Sequence, residues 1–363
     1  MNTETRKLRI YLAGSDPDGN RALMPLAGVI LYAESGWRDY WRNSSHYIGA
    51  YRSFCDVAPT LWEPCELRDA DLVAYRYWID FCSGEDARVE QVAAEARDAG
   101  LPCLFVSNND AGLSTFPSYG MVYHPSIAAL RRRDREFALA APVDDMLTGS
   151  AGQVSVRRKE QTPSVGFCGN VSNRWNELCL RVIGKSRNVR GTSLRRRAIR
   201  TLERHPHVTA RILRRDRFWG GAVRRRGVNF QERERLREQY VQNMLDADYT
   251  LCIRGAGNFS LRFYETLSAG RIPLFINTHC LLPFEDEIDW SDHCLIVDQR
   301  DLDRLGDILV EYHTGLSDEA FCEMQRSNRT LWERYLHPLS SYQRMLGRLR
   351  PDLRSSGHVR GLL

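Results

Sequence analysis

Apolar and polar positions follow a strand, helix, strand rhythm along most of the chain. LRIYLAG (8–14) is a short apolar run that breaks at Gly14 into the polar turn SDPDGN, the pattern of a strand and its exit. DADLVAYRYW (69–78) has the look of a second buried strand. In EDARVEQVAAEARDAG (85–100), Val89, Val92, Ala93 and Ala96 recur at helical spacing and Gly100 marks the end. LPCLFVSNND and YGMVYHPS return to strand-length apolar runs. Further on, SVGFCGN (164–170) predicts a strand and NRWNELCLRVIGK a helix. QERERLREQYVQNMLDA (231–247) predicts a helix with Leu236, Tyr240, Val241, Met244 and Leu245 inward. DYTLCIRG, SLRFYETLSAG and RIPLFIN then repeat strand, helix, strand, and the chain from Asp301 is mostly helical.

Such alternation predicts parallel sheets with helices on their faces. Charge clusters with Pro142, Gly149 and Gly152, between Arg131 and Thr162, have the character of a junction. The expected organisation is an N-terminal domain over 1–160, a second over 161–335, and a C-terminal helix and tail over 336–363 that packs back on the first.

Composition narrows the class. With 363 residues and 43% hydrophobic content the chain can fill two cores. No run approaches the roughly 18 apolar residues of a membrane span. The ten cysteines stand singly, mostly in apolar segments such as LPCLFV and YTLCIR, and suit buried reduced thiols better than a disulfide framework or a zinc site. Together with a start that lacks a signal-peptide pattern, this gives the expectation of a cytoplasmic protein, peripheral to a membrane at most. Net charge is +5, but Arg181–Arg226 holds 16 Lys/Arg against two acids. That block suits an anionic membrane surface, a phosphorylated partner or a solvated arginine-rich helix. It lacks the interleaved aromatics of a nucleic-acid module, so nucleic acid is not the expected partner.

The densest chemistry lies in RGAGNFSLRFYETLSAGRIP (254–273), where a strand enters a glycine loop and leaves as a helix. Gly255 and Gly257 let backbone approach a bulky anion, and a helix starting at Ser260 offers free N–H groups and the positive dipole end. Arg254 and Arg262 are charge-assisted donors suited to phosphate. Glu265 shares the helical face of Arg262 and, beside a phosphate, would turn to ribose hydroxyls. GAGNFS is a poor dinucleotide fingerprint, because its third glycine is a serine and the next strand ends in Asn277 rather than an acid. A P-loop fails outright, since no Gly-Lys-Ser/Thr follows.

Residues 248–290, DYTLCIRGAGNFSLRFYETLSAGRIPLFINTHCLLPFEDEIDW, resemble the C-terminal signature of exostosin-family glycosyltransferases. SVGFCGN followed by Arg174 resembles the start of that family's nucleotide-binding domain. The resemblance implies an α/β fold of the GT-B type, two Rossmann-like domains facing a central cleft, with the donor held by the second. It implies a metal-independent, inverting transfer of sugar from a nucleotide-sugar, UDP-linked by preference, to a hydroxyl of a glycan, a lipid-linked glycan or a small metabolite. No cofactor and no metal is expected; DPD (16–18) lies in an N-terminal turn rather than a metal site. On this resemblance Arg174, Arg254, Gly255 and Gly257 would hold the diphosphate, Ser260 and Arg262 would assist, and Glu265 would bind the ribose. An inverting transfer needs a base from the first domain. Asp110, at the end of a predicted strand, is the leading candidate, with Asp16 and His124 as competitors. A fucosyltransferase-like GT-B enzyme using a GDP-sugar, or a catalytically silent anion- or nucleic-acid-binding protein, are the alternatives.

Overall fold

The computed structural model describes residues 7–14, 52–79, 85–107, 109–110, 112–113, 116–147, 154–171, 186–215, 223–224 and 227–349. The chain divides into two compact units. One comprises Met1–Asp144, Leu281–Phe284 and Glu333–Leu363, the other Asp145–Cys280 and Glu285–Trp332.

In the first unit, β1 (Leu8–Ala13), β2 (Trp62–Pro64), β3 (Leu72–Tyr75), β4 (Cys103–Val106), β5 (Met121–His124) and β6 (Glu136–Ala138) form one sheet ordered β2-β1-β3-β4-β5-β6. Every pairing is parallel. Alternation sends Ile10, Leu12, Leu72, Ala74, Leu104 and Val106 to one face, and Ala13, Val73, Tyr75, Cys103, Phe105 and Val122 to the other. Both faces are buried, so LVAY and CLFV read as unbroken apolar runs. Ala58 of α1 (Arg52–Leu61) and the last helix, Pro338–Leu349, cover the first face, the latter through Leu339, Tyr342, Met345, Leu346 and Leu349. The second face is covered by α2 (Glu85–Asp98) through Val89, Val92, Ala93 and Ala96. Beyond α2, Gly100 takes φ +66°, the left-handed turn expected of it.

The second unit is built on β7 (Ser164–Asn170), β8 (Thr209–Arg215), β11 (Tyr249–Cys252), β12 (Ile272–Asn277) and β13 (Leu295–Asp298), again all parallel, in the order β13-β12-β11-β7-β8. A short antiparallel hairpin, β9 (Val223–Arg224) and β10 (Gly227–Val228), stands apart from it. The connecting helices are α3 (Ser186–Arg204), α4 (Phe230–Leu245) and α5 (Leu261–Ser268), followed by α6 (Leu305–Gly315) and α7 (Asp318–Leu331). Sheet and helices share a core of Val165, Phe167, Ala198, Ile199, Leu202, Leu251, Leu274, Leu305, Leu309 and Phe321. From β7 the order runs one way to β8 and the other way to β11, so the sheet has its topological switch point between the carboxyl ends of β7 and β11. Each unit thus has the parallel α/β layout of a Rossmann-like domain, as the GT-B type requires. Among the described residues no helix is long and apolar enough to cross a membrane.

Two details differ from the sequence expectations. The arginine-rich segment is not helical throughout: after α3 it supplies β8, the edge strand of the second sheet. Some of its charge is spent locally, Arg197 on Asp303 and Arg214 on Glu203. The division between units falls at Asp144/Asp145 rather than near residue 160. The reason is electrostatic. Arg329 of α7 gives Nη1 and Nη2 to the two carboxylate oxygens of Asp145 at 2.7 and 2.8 Å and Nη1 also to Ser268 O. Farther on, Arg157 gives Nε to the buried carboxylate of Asp248 at 2.7 Å and its backbone N–H to Gln325 Oε1 at 2.9 Å.

Arg329→Met is expected to destabilise the second unit by about 2 kcal/mol, less than the roughly 3–5 kcal/mol for breaking a fully buried ion pair, because Asp145 retains 32% exposure. Urea unfolding checks this, and an unmoved midpoint would show that the pair does not hold this segment.

Candidate active site

The loop that leaves β11 is stiffened by its own side chains. Gly255 N donates to Phe259 O at 3.3 Å. Arg254 folds back over the loop, Nη1 to Asn258 Oδ1 at 2.8 Å and Nη2 to Ala256 O at 2.9 Å. Asn258 Oδ1 also accepts from Thr278 Oγ1 at 2.6 Å, which ties the loop to the exit of β12. Gly257 is buried within it. At the N-cap of α5, Ser260 has extended backbone, but its buried hydroxyl makes no capping bond. The first amides of α5 therefore lack the side-chain acceptor that a serine in this position usually supplies.

Arg262, in the first turn of α5, points inward rather than out to a ligand. Its Nη2 donates to Cys168 O at 2.7 Å and its Nη1 reaches Leu251 O at 3.4 Å, so one guanidinium joins the carboxyl ends of β7 and β11. The guanidinium lies 4.2 Å from the centroid of the Phe167 ring and 5.6 Å from that of Tyr240. Gly169 makes room for it: a Cβ there would stand 2.7 Å from Arg262 Nη2. Burial works against the charge of Arg262, but Tyr240, Cys252 and Glu265 around it outweigh that and hold its pKa above the ordinary value. Of these three, Tyr240 and Cys252 are themselves pushed up by burial and are neutral near pH 7, which leaves Glu265 as the anion among them. Glu265 is half-buried, and the Tyr240 hydroxyl donates to its Oε2. Tyr240 thus orients the carboxylate, a role that its helical spacing in α4 disguised as plain core packing.

A further residue comes from the arginine-rich segment. Gly191 of α3 packs so closely on the β11 loop that a Cβ would run into the carbonyl oxygens of Gly255 and Arg254. One turn on, Arg195 is brought to the same loop, with Nη1 3.4 Å from Asn170 O and Nη2 3.5 Å from Ile253 O. Burial first, and then the nearby charge of Arg262, lower its pKa to about 10. The signal for this contact was present in the sequence. A glycine inside a helix costs about 1 kcal/mol relative to alanine and marks close packing or function.

The first unit holds two of the candidate bases. Asp110 is exposed in the turn after β4, and its carbonyl accepts from Ser126 Oγ at 2.9 Å. His124, at the carboxyl end of β5, is buried with its Nε2 2.8 Å from Glu136 Oε1. Burial raises the Glu136 pKa, but the bonds from His124 and from the Arg133 backbone N–H prevail and hold it below the usual value. Asp16 and Arg174 lie outside the described residues. Among the described residues no three His, Cys, Asp or Glu side chains gather as metal ligands would.

Comparison with known proteins finds similarity over the part of the chain that carries this geometry. Residues 169–312 match the Exostosin GT47 domain. Exostosin-1 of Drosophila melanogaster is 33% identical over 103 residues, 28% of this chain and 13% of that protein. The probable beta-1,4-xylosyltransferase IRX10L of Arabidopsis thaliana is 33% identical over 101 residues, 27% of this chain and 23% of that one. The matches thus span about a quarter or less of these relatives' lengths. Among solved structures, Anabaena Alr3699/HepE in complex with UDP aligns over 96% of this chain and 100% of its own at 11% identity, with a TM-score of 0.39. The matched stretch contains β11, its glycine loop, α5 and Arg195, and over residues 169–312 the chain is similar to the Exostosin GT47 domain.

Proposed function

We propose that the protein is a glycosyltransferase that moves a sugar from a nucleotide-sugar, UDP-linked by preference, to a hydroxyl of a glycan, a lipid-linked glycan or a small metabolite. The observation that carries this reading is the arrangement at the switch point of the second sheet. A stiff glycine loop, a helix start without its side-chain cap, and an excess of guanidinium charge lie beside one oriented carboxylate. The loop and the α5 amides receive the diphosphate, where peptide dipoles and fixed cations stabilise the charge that grows on the leaving group. Stabilisation of this kind calls for no metal. Glu265, held by Tyr240, accepts hydrogen bonds from the ribose hydroxyls.

Displacement at the anomeric carbon proceeds with inversion when a base takes the acceptor's proton on the face opposite the leaving diphosphate. We assign that base to Asp110, which is exposed at a strand's carboxyl end, whereas His124 is committed to Glu136 in the interior. The proton passes from the acceptor hydroxyl to the carboxylate as the new C–O bond forms and the bond to the diphosphate breaks. The exposed cations of α3 and β8 offer a surface for an anionic acceptor or a membrane carrying it.

Nucleotide release by the purified protein across UDP- and GDP-sugars with a broad acceptor panel tests the reaction class, and silence throughout, with no nucleoside diphosphate binding by calorimetry, would overturn it. Glu265→Ala should weaken nucleoside diphosphate binding by about 10-fold or more, the range for a hydrogen bond to a charged group, and unchanged affinity would remove the ribose role. Asp110→Asn should lower kcat by about 100-fold or more while donor affinity stays within about twofold. A loss of affinity with kcat intact would place Asp110 in binding instead.

A further inference from the structure

We infer that Arg195 binds the donor's diphosphate directly, reaching over Gly255 from α3, so that the donor site is completed by a residue of the arginine-rich segment. This rests on the nucleotide-sugar reading of the same loop and adds to it a ligand-binding residue on a different element.

Other arginines drawn wholly or partly into this unit are met by close acceptors. Arg329 has both oxygens of Asp145, and Arg157 has Asp248. Arg271, at the amino end of β12, shares its Nη1 and Nη2 among four acceptors, the nearest Ser155 O at 3.0 Å. Arg195 is served differently. Its two contacts, at 3.4 and 3.5 Å, are at the outer limit for hydrogen bonds, and among the described residues its Nε, like that of Arg271, meets no partner, so no short bond serves any of its donors. The charge nearest in effect is Arg262, of the same sign, and among the described residues no carboxylate acts on it. A cation in such a place costs stability unless something anionic completes it.

Its position says where that anion sits. Arg195 Nη2 stands 3.6 Å from where a Cβ of Gly255 would be, so the absent side chain leaves the guanidinium facing the loop. Gly191, whose lack of a Cβ lets α3 close on the carbonyls of Gly255 and Arg254, fixes that approach. Asn170 ends β7 beside it with a buried side-chain Oδ1 that meets no hydrogen-bond partner among the described residues, a second polar group at the same strand end. The planar fork of arginine spans two phosphate oxygens, and the neighbouring α5 amides leave the diphosphate contacts from the opposite side. Binding of the donor offsets the cost of holding Arg195 there.

The full chain, as wild type, Arg195→Met and Arg195→Lys, is titrated calorimetrically with UDP, GDP, inorganic pyrophosphate and uridine, and each form is melted with and without ligand. Arg195→Met is expected to weaken binding of pyrophosphate and of the preferred nucleoside diphosphate by about 30-fold or more, to leave any uridine binding within about twofold, and Arg195→Lys to recover part of the loss. Without ligand, Arg195→Met should melt at or above the wild-type temperature, since an uncompensated charge has gone. Wild-type binding that Arg195→Met preserves within about threefold overturns the role of Arg195 alone, and so does an unliganded Arg195→Met that melts lower or fails to fold, the sign of a structural arginine. A wild type that binds neither UDP, GDP nor pyrophosphate overturns the donor-site reading together with this one.

Discussion

The second unit organises its working end around one inward-turned, half-buried guanidinium. Arg262 joins carbonyls near the carboxyl ends of β7 and β11 and lies on the face of Phe167, so the two strands flanking the switch point are held at one charged group. Burying that cation is unfavourable by itself, and the structure offsets the cost with neighbours rather than a single ion pair: carbonyl oxygens, an aromatic face, and Glu265 one helical turn away. The consequences spread outward. A Cβ at position 169 would stand 2.7 Å from Nη2 and push the guanidinium off its acceptors, so glycine there keeps the arrangement, and the Tyr240 hydroxyl turns to Glu265 beside the cation.

From that constraint follows a division of labour among the arginines of the site. Arg262 shapes the floor and Arg254 shapes the loop, each by spending its donors on nearby backbone or amide groups. Neither therefore needs to be the main ligand of an anion, although both set the positive potential that an anion meets. Arg195 is the guanidinium whose donors are least spent, and it comes from an element that touches the loop only because Gly191 permits it. One residue type thus fills three roles, distinguished by how far each fork is already satisfied.

Much of the frame was legible in the sequence because it rests on local pattern. The buried strands LVAY, CLFV and SVGFCGN are unbroken or nearly unbroken in apolar residues, and the strand, loop, helix, strand order of residues 249–277 is spelled out by its glycines and by helical spacing. What local pattern cannot give is depth and partner. Helical spacing put Arg262 and Glu265 on one face, but not that the face turns inward against Phe167, nearly a hundred residues earlier. Tyr240 looked like core because an aromatic at helical spacing usually is, and its hydroxyl bond to Glu265 depends on a neighbouring helix. His124 offered itself as a base by residue type, while Glu136, on the adjacent strand, fixes it inside. Composition could not show that Arg157 and Asp145, in a stretch of junction-like residues, bind to groups about a hundred or more residues away.

The arginine-rich segment shows most plainly why net charge is a poor guide to role. Counted along the chain it is a block with one meaning, a basic surface. Folded, it becomes a helix and an edge strand whose cations meet different fates. Arg197 and Arg214 are neutralised by Asp303 and Glu203 on the surface, where such pairs add little stability, and Arg215 caps the Leu236 carbonyl. Arg195, two residues before Arg197, is turned by the helix toward the sheet, where it is half-buried and meets no acid among the described residues. Helical phase separates these outcomes: a rotation of roughly 200° between positions i and i+2 puts one arginine in solvent and the other at the carboxyl ends of β7 and β11. A segment selected only for a basic exterior would have no use for the glycine at 191, which weakens the helix. That glycine gains a purpose only if α3 must close on the loop and deliver Arg195 there, so the segment is part of the site as well as part of the surface.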